Sequence, residues 1–383
     1  YLSASGKLAG ACYKLELEAA FRSAELSGFQ LLDIKDFSGQ GTALVGILNA
    51  FHKNKGVIPR SDWRMFCSDA VLLPTLDSLV MQGGSCVNCE VKLRYYRPER
   101  LLKPQLKAVW YLKRQAGSIE ESRIEKQVQT MGCQEIAGRG LFTLGTIALD
   151  VPMCRNNAAY ALRFVLTSEN AETVENEYDI FIYEENALRA GCILSETVSK
   201  HAFSNQHERT VCITNDNKEA LEACRKGKSV LLFVKPDSIL PDSTIKGEYC
   251  TDFWCYPMFR SISESAGKPL PAGTMGLLID NVHPALSEFV SETYTTAQWY
   301  QIVMHSRPMI LDKTKEHGGI KPIVRMMDNF ERNHNLGLIY EVRHGGGKML
   351  VCHADLIALK ETYPEADCLY RSLAAYVRSE IFL

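Results

Sequence analysis

The 383-residue sequence lacks a surplus of either charge. Its 43 lysines and arginines stand against 45 aspartates and glutamates, a formal charge of −2. That balance leaves no electrostatic footprint for nucleic acid or for an anionic membrane surface. There is no apolar run of about 18 residues, so no segment reads as a bilayer-spanning helix. The chain opens YLSASGKLAG, with no initiator methionine and no basic-then-apolar leader; the expectation is a native start upstream of Tyr1. No internal repeat and no low-complexity tract is visible. The composition of disorder is missing too, since hydrophobic residues make up 46% and charged residues 23%. A chain of this length has room for two or three domains.

Several reactive signatures are also missing. The 13 cysteines are an odd number scattered over the whole length. Most sit in apolar strings, as Cys192 and Cys352 do, and read as small buried hydrophobes. Cys86-x-x-Cys89 has no second pair at matching spacing, so neither a zinc site nor a redox pair is expected. A nucleophile elbow needs Gly-x-Ser-x-Gly or its cysteine counterpart. After the apolar strand Ser229–Val234 the chain instead runs Lys235-Pro-Asp-Ser238. Gly345-Gly-Gly347 has no helix after it, so the dinucleotide fingerprint fails. No cofactor is expected.

Three patterned segments are present. Residues 1–73 read as helix, strand, helix. Apolar residues keep helical spacing from Leu8 to Leu26, Glu18 and Arg22 form an i,i+4 pair, and Gly28 stops the run. Phe29–Ile34 reads as a short buried parallel strand. Helices are expected at Thr42–Phe51 and Ser61–Cys67. Residues 74–184 alternate in short stretches, Val87–Tyr95, Ala108–Leu112, Leu141–Leu149, Tyr160–Leu166 and Tyr178–Ile182. This predicts an antiparallel β-sandwich of the immunoglobulin-like kind with about seven strands. Residues 185–383 alternate strands and helices, which predicts a doubly wound, flavodoxin-like α/β domain. Within it, Arg343–Lys348 reads as a hairpin turn.

Candidate site residues follow from placement. Ligands gather at the carboxyl ends of strands in β/α units. Asp33, Asp36 and Gln40 stand at the mouth of the 29–34 strand, where three polar groups suit sugar hydroxyls; a helix cap with a turn would use the same residue types. Glu16 and Glu18 do not make a glycosidase pair. Residues i and i+2 on a helix point about 200° apart, so both are expected on a solvated face. The aromatics near Trp254, with Trp299 and Tyr300, could stack on sugar rings or pack between domains. His283, His334 and His353 read as structural histidines.

Several blocks carry a resemblance. Cys12–Arg22 (CYKLELEAAFR) and Gly28–Phe51 (GFQLLDIKDFSGQGTALVGILNAF) resemble the end of the catalytic barrel in glycoside hydrolase family 2-like proteins of Bacteroidota, of β-galactosidase or β-glucuronidase type. Asn176–Tyr183 (NEYDIFIY) is similar to the last strand of the immunoglobulin-like domain that follows that barrel. Gly273–Leu278, His283–Leu286, Ser306–Asp312 and Asp328–Leu338 resemble the C-terminal class I glutamine amidotransferase-like domain of the same proteins. The resemblance implies the end of a (β/α)8 barrel at 1–73, the sandwich at 74–184 and a non-catalytic α/β domain at 185–383. It implies a retaining exo-glycosidase with two glutamates, neither of whose motifs occurs in this sequence. No catalytic residue is therefore expected. Asp33, Asp36 and Gln40 would remain as substrate-contact residues, carbohydrate and the upstream barrel as partners, and the periplasm or cell exterior as the setting. One barrel strand cannot close a barrel, so its apolar residues should be exposed, covered by a partner, or packed on the sandwich.

Overall fold

The computed structural model describes residues 1–26, 28–32, 34–37, 45–116, 124–184, 211–238, 241–249, 256–267, 273–313, 319–329 and 332–382. The fold is mixed α/β with more strand than helix. The chain forms two compact units. One comprises Ala9–Ile34 and Ile47–Arg189; the other comprises Tyr1–Leu8, Lys35–Gly46 and Ala190–Leu383.

The first unit is built on two facing sheets. Alternation of apolar and polar residues drives its strands, because each sheet buries one face. Strands β1 (Ala70–Pro74), β3 (Cys86–Tyr95) and β6 (Gly140–Asp150) form the smaller sheet in the order β1-β3-β6. The larger sheet runs β2 (Val80–Gln82), β8 (Val174–Tyr183), β7 (Asn157–Thr167), β4 (Gln105–Gln115), β5 (Ile124–Gly132). All pairings are antiparallel except β2 with β8. Between the sheets, Leu72, Leu93, Leu106, Trp110, Leu162, Phe164 and Ile180 make the core. The Trp110 ring meets Tyr160 edge-on at 6.1 Å. On β3, Cys86 is exposed and Cys89 buried, because residues three apart on a strand face opposite ways. The two thiols cannot share a metal.

The helix Leu2–Arg22 contributes residues 9–22 to this unit. It ends four residues short of the expected Leu26. Its last carbonyls are taken by Arg94 of β3, whose Nε donates to Phe21 O (2.9 Å) and whose Nη2 donates to Ser23 O (2.5 Å). A cation on orphan C-terminal carbonyls is a favourable helix stop.

Residues 1–73 depart from the expected barrel end. Among the described residues, 29–34 form no strand, and Phe29, Leu32 and Ile34 are exposed. The described part of Thr42–Phe51 is not helical either. Asn49 accepts hydrogen bonds from the backbone N–H of Phe51 and Lys53, both at 3.0 Å, and so builds a turn. The helix near Ser61 is present as Arg60–Phe66. The edge of the sandwich lies earlier than residue 74, because β1 already pairs with β3 along its whole length.

In the second unit one sheet runs β11 (Thr274–Ile279), β13 (Val324–Asp328), β14 (Asn335–His344), β15 (Gly347–Cys352), β10 (Ser229–Phe233), β9 (Val211–Thr214). The short β12 (Met309–Ile310) pairs with the start of β14. This is not the expected doubly wound parallel sheet. Only β9, β10 and β15 are parallel; β15, β14, β13 and β11 pair antiparallel. The reason is connection length. Gly345 and Gly346 alone join β14 to β15, and a two-residue hairpin can only reverse the chain. The link from β9 to β10 carries the helix Asn217–Arg225, long enough for a crossover. Asp216 caps that helix by accepting from Lys218 and Glu219, and Gly227 turns the chain away at φ +78°. The helix Pro364–Arg378 buries Leu369, Leu373 and Val377, and its Tyr370 stacks on Phe233 of β10 at 5.1 Å.

Candidate functional site

Two polar centres stand out, one in each unit. In the first unit Glu18 is 0% exposed. This corrects its assignment to a solvated face; Glu16 does stay exposed. Lys14, Glu18 and Arg22 lie one turn apart on a single stripe of the helix, and Asn176 and Tyr178 share one face of β8. Glu18 Oε1 accepts from Lys14 Nζ (2.6 Å) and Asn176 Nδ2 (2.7 Å). Its Oε2 accepts from Tyr178 OH (2.7 Å) and Arg22 Nη2 (3.2 Å). Asn176 Nδ2 also donates to Leu72 O at 2.8 Å, and Arg22 Nη2 to Pro74 O at 2.8 Å. The Lys14 ammonium sits 4.1 Å from the Tyr178 ring centre. Burial holds Lys14 below the usual lysine range, an effect Glu18 opposes. Burial and then Glu18 hold the Tyr178 phenol well above its usual range. A carboxylate so fully partnered has no acceptor site left for a substrate proton. The sequence shows the stripe of three charges, but its partners lie about 160 residues away.

In the second unit one edge of the sheet collects the polar groups. The carboxyl ends of β9, β10 and β15 lie there, with the end of β13 and the start of β14. Asp328 Oδ1 accepts from Arg332 Nη2 (2.6 Å), and its Oδ2 accepts from the His334 backbone (3.1 Å). His334 Nδ1 lies 2.6 Å from Asp312 Oδ2, while Asp312 Oδ1 accepts from the Asn335 N–H at 3.0 Å. Both side chains of that dyad are 34% exposed. His353 follows β15 directly, and its Nε2 lies 2.9 Å from the buried Tyr340 hydroxyl. Burial pulls His353 down to about 4. His283 accepts the Ala285 N–H at 3.2 Å and caps a short turn. Among the described residues, none of these three histidines bonds to a serine, threonine or cysteine. Among the described residues these histidines assemble no hydrolase relay.

The predicted site residues fare differently. Asp33, Gln40 and Trp254 lie outside the described residues. Asp36 is buried, and its carboxylate accepts the Gly46 N–H at 3.0 Å. Trp299 is 0% exposed; its indole N–H donates to Ser291 Oγ (3.1 Å) and its ring meets Phe289 edge-on. Both ring faces are enclosed, so no sugar can stack on them. Tyr300, beside it, is exposed.

One buried thiol in each unit is held protonated. Burial pushes Cys89 and Cys352 up to about 12. At pH 8 that lowers their thiolate fraction roughly 1,000-fold relative to an ordinary thiol. Iodoacetamide on the native protein should therefore label exposed Cys86 and leave Cys89 and Cys352 intact. Peptide mass mapping reads this directly, and early labelling of Cys352 would contradict its enclosure.

Residues 211–383 match a family described as a domain of unknown function (DUF8487). No curated protein matches the chain. Among solved structures, the chain is similar to AvmM, which catalyses macrocyclisation in alchivemycin A biosynthesis, with 6% identity over 30% of this chain and 89% of that one, TM-score 0.24. It is similar to the sporulation control protein Spo0M of Bacillus subtilis, with 12% identity over 34% of this chain and 56% of that one, TM-score 0.22. A family 123 glycoside hydrolase from Clostridium perfringens matches with 8% identity over 29% of this chain and 23% of that one, TM-score 0.20.

Proposed function

We propose that this chain is the scaffold portion of a glycoside hydrolase family 2-like exo-glycosidase and does not itself break glycosidic bonds. The observation that carries the reading is the state of Glu18. A retaining site needs two carboxyl groups about 5 Å apart, one able to give up a proton and one free to attack. Glu18 is instead bound by four donors and fixes a helix to β8. That arrangement supports a part in domain assembly. The block resemblances at 12–22 and 28–51 support kinship with those proteins in sequence, while the barrel strand expected at 29–34 is not formed among the described residues. An immunoglobulin-like reading of the sandwich is supported by its three-plus-five strand arrangement, with β2 running parallel to the last strand β8. The crossover between β9 and β10 supports an amidotransferase-like ancestry for the second unit. There, Lys235 follows β10 where a nucleophile would sit, and Cys352 holds its proton. The setting we infer is the periplasm or the cell exterior.

The test is turnover of p-nitrophenyl β-galactoside and β-glucuronide. The chain alone should release no nitrophenol above buffer, while a protein extended upstream through its genomic reading frame should. Turnover by the chain alone would overturn the reading, and so would an inactive extended protein whose upstream sequence encodes no barrel.

A further inference from the structure

We propose that Tyr340 and His353 form an acid-sensitive clasp, whose protonation opens the polar edge of the second unit's sheet while the remainder stays folded. The clasp sits at a crossing of backbone ties. His353 N–H donates to Leu338 O of β14 (2.8 Å), and its carbonyl accepts from Arg307 N–H (3.0 Å), just before β12. The neighbouring residues repeat the pattern. Cys352 O accepts from Val234 N–H at 2.9 Å, and Asp355 N–H donates to His305 O at 3.2 Å. One residue thus links β15, β14 and the approach to β12.

The ring is built to be neutral. It is 1% exposed and stacks on Tyr340 with centres 5.5 Å apart and planes 22° from parallel. A neutral imidazole suits the single phenol hydroxyl at Nε2. An imidazolium carries two donors and a charge that an apolar site does not solvate. The charged groups nearby are otherwise engaged. The Asp355 carboxylate accepts the Ala358 N–H at 3.2 Å, the Arg307 guanidinium donates to Thr244 Oγ1 at 3.2 Å, and the His305 ring faces Gln301 O at 2.8 Å. None supplies a counter-ion, so the protonated ring gains most by reaching water.

The direction follows from linkage. The ring binds a proton near pH 4 when enclosed, against 6.5 when free. Between those values the opened form binds more protons, so closure strengthens as pH rises and weakens as it falls. The closed form is fully favoured above pH 6.5. By pH 4, where the enclosed ring is itself half protonated, the closing equilibrium should have lost roughly 150-fold.

The experiment is hydrogen exchange with mass-spectrometric readout on the full chain, from pH 7 to pH 4, corrected for intrinsic exchange. Peptides within 305–312 and 335–340 should lose protection before those of β9 and the helix Asn217–Arg225. In His353→Phe, which keeps the stack and cannot titrate, that early loss should vanish. An unchanged loss in His353→Phe overturns the proposal. A second measurement needs no variant: the His353 ring, followed by NMR, should titrate far below 6.5 in the closed protein. Titration near 6.5 overturns the proposal as well.

Discussion

Replacing Glu18 with alanine should destabilise the sandwich unit by about 3–5 kcal/mol, the range for removing one partner from a buried ion group. The cost arises from what remains. Lys14 is left with the Asn176 amide and the Tyr178 ring, and Arg22 keeps the Pro74 carbonyl. Two cations then face one another across a cavity that Asn176 and Tyr178 no longer fill with matched partners. Urea denaturation followed by far-ultraviolet circular dichroism measures the change. Lys14→Met combined with Glu18→Leu should recover part of the loss, because only Arg22, the more exposed of the two cations, is then left without the carboxylate. A loss below about 1 kcal/mol for Glu18→Ala would mean that solvent reaches the site. The node would then be an ordinary surface pair, and its role in assembly would fall with it.

How far the sequence reveals this molecule depends on whether the governing partner is local. The strand expected at Tyr160–Leu166 forms as part of β7, because its alternation of apolar and polar residues is a local signal. The helix Asn217–Arg225 is bounded by its own Asp216 cap and by Gly227, both within reach of the segment itself. The glycine hairpin at 343–348 is likewise legible, and it already argues against a wholly parallel sheet. Phe29–Ile34 has the apolar run of a buried strand, yet a strand exists only through its neighbours. Without them those side chains stay exposed. Glu18 is the converse case. Its spacing with Lys14 and Arg22 is written in nine residues, but its burial is decided by Asn176 and Tyr178. Trp299 shows the same limit for aromatics, since a ring that packs and a ring that stacks on sugar share one sequence appearance.

That last ambiguity is open to measurement, because the two roles of Trp299 predict different losses. Trp299→Ala should destabilise the second unit by about 3–5 kcal/mol, as expected when a large enclosed aromatic is cut back and the cavity only partly closes. Part of that cost is the edge-on contact with Phe289, whose ring centre lies 5.2 Å away. Another part is Ser291, which loses the indole donor at its hydroxyl. Trp299→Phe should cost less than the alanine change, since it keeps much of the volume and loses the N–H. A sugar platform behaves in the opposite way. Its ring faces solvent, its truncation leaves stability within about 0.5 kcal/mol, and it abolishes binding. Denaturation and calorimetry with β-galactosides on the same variant therefore separate the two. Retained stability with lost sugar binding would place Trp299 in a carbohydrate site. A large loss of stability accounts for the residue by packing alone, and moves the search for sugar contacts to side chains that solvent can reach.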